Sequence, residues 1–122
     1  MSNQRHLPRG LFKLVAHEVA LDLLTEVQKI ELHKPGLAHM RDQLYRAADN
    51  MTLRLSEASG RTMGNRRQHL EGAYGECQEA KSALEQIRKH GVEVPETVDQ
   101  MADRLGGLLY GLLRAERRKN QT

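Results

Sequence analysis

The chain has 122 residues, a length that makes one domain able to bury its own core. Its single cysteine excludes an internal disulfide, and no apolar run approaches the ~18 residues a membrane helix needs. A net charge of +3 and a pI near 9.2 admit nucleic acid as a partner, while an aromatic content of 3% without tryptophan argues against a site that stacks many bases or sugars.

The polar stretch Met1 to Gly10 has no apolar stretch of the kind that directs secretion. With one thiol, this makes the cytoplasm the expected compartment. Three breaks then divide the chain: Lys34-Pro35-Gly36, Ser59 to Asn65, and His90 to Pro95. The first segment, from about Leu11 to His33, repeats Phe12, Val15, Val19, Leu23, Val27 and Ile30 at helical spacing. A second apolar line of Leu11, Leu14, Leu21 and Leu24 widens that face beyond one bundle seam. Leu14 and Leu21 are therefore candidates for contact with another subunit.

The second segment, about Gly36 to Ser59, has the stripe Leu37, Met40, Leu44, Ala47, Met51, Leu55 and Ala58, with Gly60 placed to end it. The third begins near Asn65, where Asn65 and Gln68 have capping-box spacing. It continues through Leu70, Ala73, Tyr74, Cys77, Ala80, Leu84 and Ile87 to a stop at Gly91. The fourth opens at Pro95 and repeats Val98, Met101, Leu105, Leu108, Leu112 and Ala115. No stretch alternates like a strand. The pattern predicts an all-α, antiparallel up-down-up-down four-helix bundle over residues 11–118, with a flexible arm at 1–10 and a frayed tail at 119–122. Gly106, Gly107 and Gly111 lie inside the fourth helix, each at a cost of about 1 kcal/mol relative to alanine. Such a cost points to close approach of another backbone.

Catalytic patterns are absent from the sequence. No Asp or Glu is followed three residues later by histidine, as a di-iron bundle requires, and a lone cysteine does not make a zinc site. Cys77 lies on an apolar stripe between Glu76 and Glu79, which suits an inert buried thiol. The expectation is no enzyme, no cofactor and no metal.

Charge is the informative feature. From residue 41 to 67 every base is an arginine: Arg41, Arg46, Arg54, Arg61, Arg66 and Arg67. Arg114, Arg117, Arg118 and Lys119 form a second cluster, whereas Glu76 to Asp103 is rich in acids. A bundle of this connectivity brings the joint after the second helix near the end of the fourth. The two clusters would then share one basic end, and the forked guanidinium suits phosphate. The competing reading is that these bases complement helix dipoles and form pairs four residues apart.

Several stretches carry a resemblance. Gln43-Leu44-Tyr45-Arg46-Ala47-Ala48 leading through Leu55-Ser56-Glu57 to Gly60-Arg61, Ala73-Tyr74-Gly75-Glu76, and Asp103 to Arg114 resemble successive helices of the bacterial four-helix bundle proteins. That superfamily includes the rRNA intervening-sequence proteins and the accessory variability determinant of diversity-generating retroelements. The chain departs from the intervening-sequence pattern at Thr52, Arg54 and Ala58, where proline, asparagine and glycine are usual. The resemblance implies a homopentameric barrel without catalysis, an RNA or DNA partner, and association with a reverse transcriptase. It also implies tight packing at the glycines of the fourth helix. The function expected is that of a nucleic-acid-associated accessory protein whose arginines contact phosphates. The alternative is a protein-interaction scaffold that binds no nucleic acid.

Overall fold

The computed structural model describes residues 9–32, 34–58 and 63–120, with side chains described within 15–118. These residues form four helices: α1 (Arg9–Val27), α2 (Ala38–Ala58), α3 (Met63–Lys89) and α4 (Glu96–Asn120). Each consecutive pair packs together, and α1 also packs on α4, which closes the ring of a four-helix bundle. Residue pairings run in opposite senses along neighbours: Lys81 meets Asp103 while Arg88 meets Asp99, so α3 and α4 are antiparallel. Arg66 near the start of α3 reaches Glu116 near the end of α4, placing these two termini at one end of the bundle.

The apolar stripes of the middle helices are buried as their spacing predicts. Leu37, Met40, Leu44, Ala47, Met51, Leu55 and Ala58 are all in the core. So are Leu70, Ala73, Cys77, Ala80, Leu84 and Ile87, with Tyr74 half-buried at the margin. Fully burying a leucine contributes about 1.5–3 kcal/mol relative to leaving it in water, so these stripes fix which face of each helix turns inward.

The first segment departs from expectation. α1 stops at Val27 instead of continuing to His33. Tight turns follow, in which the Lys29 and Ile30 amides donate to Glu26 and Val27 carbonyls at 3.1 and 3.3 Å. Ile30 and Leu32 are buried from this joint, where they seal the end of the core. Helical spacing alone did not distinguish a last turn of helix from a plugged joint. Of the second apolar line, Leu21 is 43% exposed and Leu24 half-buried, so that line stays at the margin of the core. The side chain of Leu14 lies outside the described residues.

The end of α3 obeys its sequence closely. Gly91 has φ +84°, its amide donates to Arg88, and the Val92 amide donates to Ile87 at 3.3 Å. This is the Schellman pattern, with Val92 and Ile87 both buried over it. The start of α3 corrects the expectation: the helix already runs at Met63, so Asn65 is inside it and no capping box forms there. Gly60, the expected stop for α2, is outside the described residues. α4 starts at Glu96, one residue after Pro95, whose carbonyl accepts from Val98. Its Glu96 and Asp99 place negative charge at the positive end of the helix dipole.

The buried face of α4 is wider than the expected seam. Ala102, Leu109, Leu113 and Glu116 are buried beside Val98, Leu105, Leu108 and Leu112, while Met101 and Ala115 are only half-buried. The reason is that α4 packs on both α1 and α3, so a single repeating line cannot cover its contacts. No described helix is long and apolar enough to cross a membrane.

Candidate nucleic-acid interface

The nominated basic residues divide into those held by neighbouring groups and those facing water. On α2, the Arg41 guanidinium lies 3.6 Å from Asp42. Arg46 and Arg54 lie near Glu76 of α3, whose carboxyl is hydrogen-bonded by Asn50. Burial and the adjacent Glu79 raise the pKa of Glu76; Asn50, Arg54 and Arg46 oppose that rise. Arg54 also crosses α3 at Gly72, where a Cβ would fall 2.8 Å from its Nε. Its Nη1 is 3.4 Å from His69 Nδ1, and His69 Nε2 is 3.4 Å from Glu57. An imidazole that accepts at Nδ1 and donates at Nε2 fits both neighbours. Part of the α2 stripe is thus engaged in the α2–α3 seam.

At the shared end, Arg66 donates to the buried Glu116 at 3.4 Å. This pair ties α3 to α4 across the bundle. A carboxylate removed from water demands such a partner, because an uncompensated buried charge is strongly destabilising. Arg67 is paired with Glu71 one turn on, at 2.9 Å. Arg41, near the opposite end of α2, is separated from Ala58 by roughly 25 Å of helix at 1.5 Å per residue. The nominated residues therefore do not make one basic rim. The structure joins Arg66 to the α4 end and leaves Arg41 apart. Arg61 lies outside the described residues, and of Lys119 only the backbone is described.

The outer face of α4 is different. Arg114, Arg117 and Arg118 are exposed, and none meets a carboxylate among the described residues. Arg104, absent from the basic clusters of the sequence, is exposed on the same face; the adjacent Asp103 is paired with Lys81, and no carboxylate forms an ion pair with Arg104 among the described residues. Beyond Asp103 the only acid on α4 is Glu116, and it points into the core. The positions 104, 107, 111, 114 and 118 follow steps of three and four residues, so they line one face. That spacing was visible in the sequence. It was obscured because Arg104 borders an acidic stretch.

This face also carries Tyr110, 49% exposed. Its ring lies 6.4 Å from that of Tyr74 on α3, tilted by 47°. The Arg114 guanidinium carbon sits 6.0 Å from the centre of the Tyr110 ring, at cation–π range. Two of the three tyrosines in the chain are thus gathered at one place on the surface. A Cβ added at Gly107 or Gly111 would meet nothing within 4 Å, and one at Gly106 would meet only Cys77 Sγ at 3.7 Å. Among the described residues no backbone approaches these glycines, so the expected close approach is not made by that part of the bundle.

The acidic stretch is largely matched. Lys81 bridges to Asp103 at 2.9 Å, and Arg88 meets both Glu85 and Asp99. The hydrogen bond to Asp103 is the main cause that raises the Lys81 pKa. Cys77 is buried with its Sγ 3.5 Å from the Ala102 carbonyl, and burial pushes its pKa up to about 11. That thiol is in the wrong protonation state for a nucleophile. Among the described residues no three His, Cys, Asp or Glu side chains gather as metal ligands. An open depression of about 450 Å³ lies at the other end of the bundle, between the α1–α2 and α3–α4 joints, with Lys29, Lys34, Glu31 and Glu93 on its walls.

Compared with protein-family models, curated proteins and solved structures, the chain matches none, so its assignment rests on four helices packed as an all-α bundle.

Proposed function

We propose that this protein is a non-enzymatic accessory protein that binds nucleic acid through the outer face of α4. The observation that supports this reading is the run of exposed arginines Arg104, Arg114, Arg117 and Arg118, none of them ion-paired with a carboxylate among the described residues. A guanidinium without a carboxylate partner is available to phosphate, and its planar fork fits two phosphate oxygens. The α2 arginines contribute less, because Arg46 and Arg54 are offset by Glu76 and Arg54 is committed to the α2–α3 seam.

The resemblance seen in the sequence extends this proposal to a homopentamer working beside a reverse transcriptase. In such an assembly the α4 faces of several copies would sum their charge. Light scattering on the purified protein, alone and with a short RNA or DNA, tests both parts. The expected result is a mass of five protomers that rises with nucleic acid at low salt and returns to its starting value at high salt, since phosphate contacts weaken as salt rises. No complex at low salt overturns the nucleic-acid reading and favours a protein-docking scaffold. A monomeric mass overturns the pentamer.

A further inference from the structure

We infer that Tyr110 is a stacking platform for an unpaired base, so that the α4 face takes single-stranded nucleic acid in preference to duplex. The inference rests on the reading of that face as a phosphate-binding surface and specifies what it holds. Three features converge on it. The Tyr110 ring is half-exposed although a tyrosine gains by burial, and Tyr74 supports it from α3 at 6.4 Å. Arg114 lies against the same ring, adding a cation that stacks as well as pairs with phosphate. Gly107 and Gly111 flank Tyr110 on the helix, and the space where their side chains would stand is open. The helix surface is therefore low beside one raised aromatic ring, on the side away from α3.

This relief suits a strand whose bases are turned outward. A base has a flat face that stacks on tyrosine whatever its identity, and the phosphates on either side reach the arginines. In a duplex the bases are already stacked on one another and only the backbone is presented. A single ring among arginines thus discriminates by strandedness, not by sequence. Low composition in aromatics excludes a row of such platforms but not one.

The test is fluorescence anisotropy with labelled oligonucleotides of about twelve units, a length within the usual footprint of single-strand binders. Unstructured RNA, unstructured DNA and a duplex are compared on the full-length protein. Single strands are expected to bind more tightly than duplex, and a tighter RNA arm would identify RNA as the source of the strand. Tyr110→Ala should weaken single-strand binding about 5- to 100-fold, the usual effect of removing one stacking ring. Tyr110→Phe should restore it to within about twofold, because the face of the ring is retained. The salt dependence of Tyr110→Ala should match that of the wild type, since no phosphate contact is lost. Gly107→Leu with Gly111→Leu, which keeps the helix but raises its floor, should also weaken the single strand. Wild-type preference for duplex, or undiminished binding by Tyr110→Ala, overturns the platform while leaving phosphate binding intact. Absence of binding to any of the three by the wild type overturns the nucleic-acid reading itself.

Discussion

Replacing Gly107 and Gly111 together by alanine should make the protein more stable. Both positions are helical, and neither has the positive φ that would require glycine. A new methyl group at either would meet no atom within 4 Å. The remaining effect is backbone entropy, about 1 kcal/mol per glycine in a helix interior, hence about 2 kcal/mol for the pair. With an unfolding entropy of about 2.1 cal/mol/K per residue, 1 kcal/mol corresponds to about 4 °C in a chain of 122 residues. The double variant should therefore melt about 8 °C higher, measured by circular dichroism at several protein concentrations. An unchanged or lower Tm would refute the reasoning. It would mean that something other than water meets this face, and the obvious candidate would be a second copy packed against the glycines.

Leu105 is fully buried between helices, so Leu105→Ala should cost about 2–5 kcal/mol in urea unfolding. A loss below about 1 kcal/mol would contradict its place in the core. The Cys77 thiol has an ordinary value of 9.0 and is raised to about 11 in the folded chain. Its folded form holds the proton more tightly, so its contribution to stability is complete below pH 9.0 and is lost as pH rises toward 11. Stability should fall across that window in the wild type and fall less in Cys77→Ala. A thiol reagent at pH 8 should label the native protein far more slowly than the unfolded chain, and equal rates would show that Cys77 is accessible.

The fold was legible where one principle acted alone. The α2 and α3 stripes repeat apolar residues every three or four positions, and each buried line is the one the spacing predicts. Gly91 was readable as a helix stop because few other residues accept its φ of +84°. The reading was poorer where two neighbours compete for one helix. α4 serves both α1 and α3, so Leu109, Leu113 and Glu116 turn inward beside the expected line. A buried glutamate cannot be anticipated from its own helix, because its partner Arg66 lies 50 positions earlier in the chain. The candidate interface was half-visible for a similar reason. Composition located the arginines, but only the tertiary pairing separates Arg66, held by Glu116 of α4, from Arg114 and Arg117, which are exposed. Tyr110 and Tyr74 are far apart in sequence, and their proximity is a product of α3 packing on α4.

The most direct measurement is the salt dependence of single-strand binding by two variants of equal charge change. One carries Arg114→Ala, Arg117→Ala and Arg118→Ala on α4; the other carries Arg41→Ala, Arg54→Ala and Arg67→Ala on α2 and α3. Each phosphate contact on a single strand contributes about 0.7 to the slope of log K against log salt, so losing three should reduce that slope by about 2. An interface on α4 predicts this reduction for the α4 variant and a much smaller one for the other. Equal reductions, or a larger one from the α2–α3 variant, would contradict the assignment of the interface to α4.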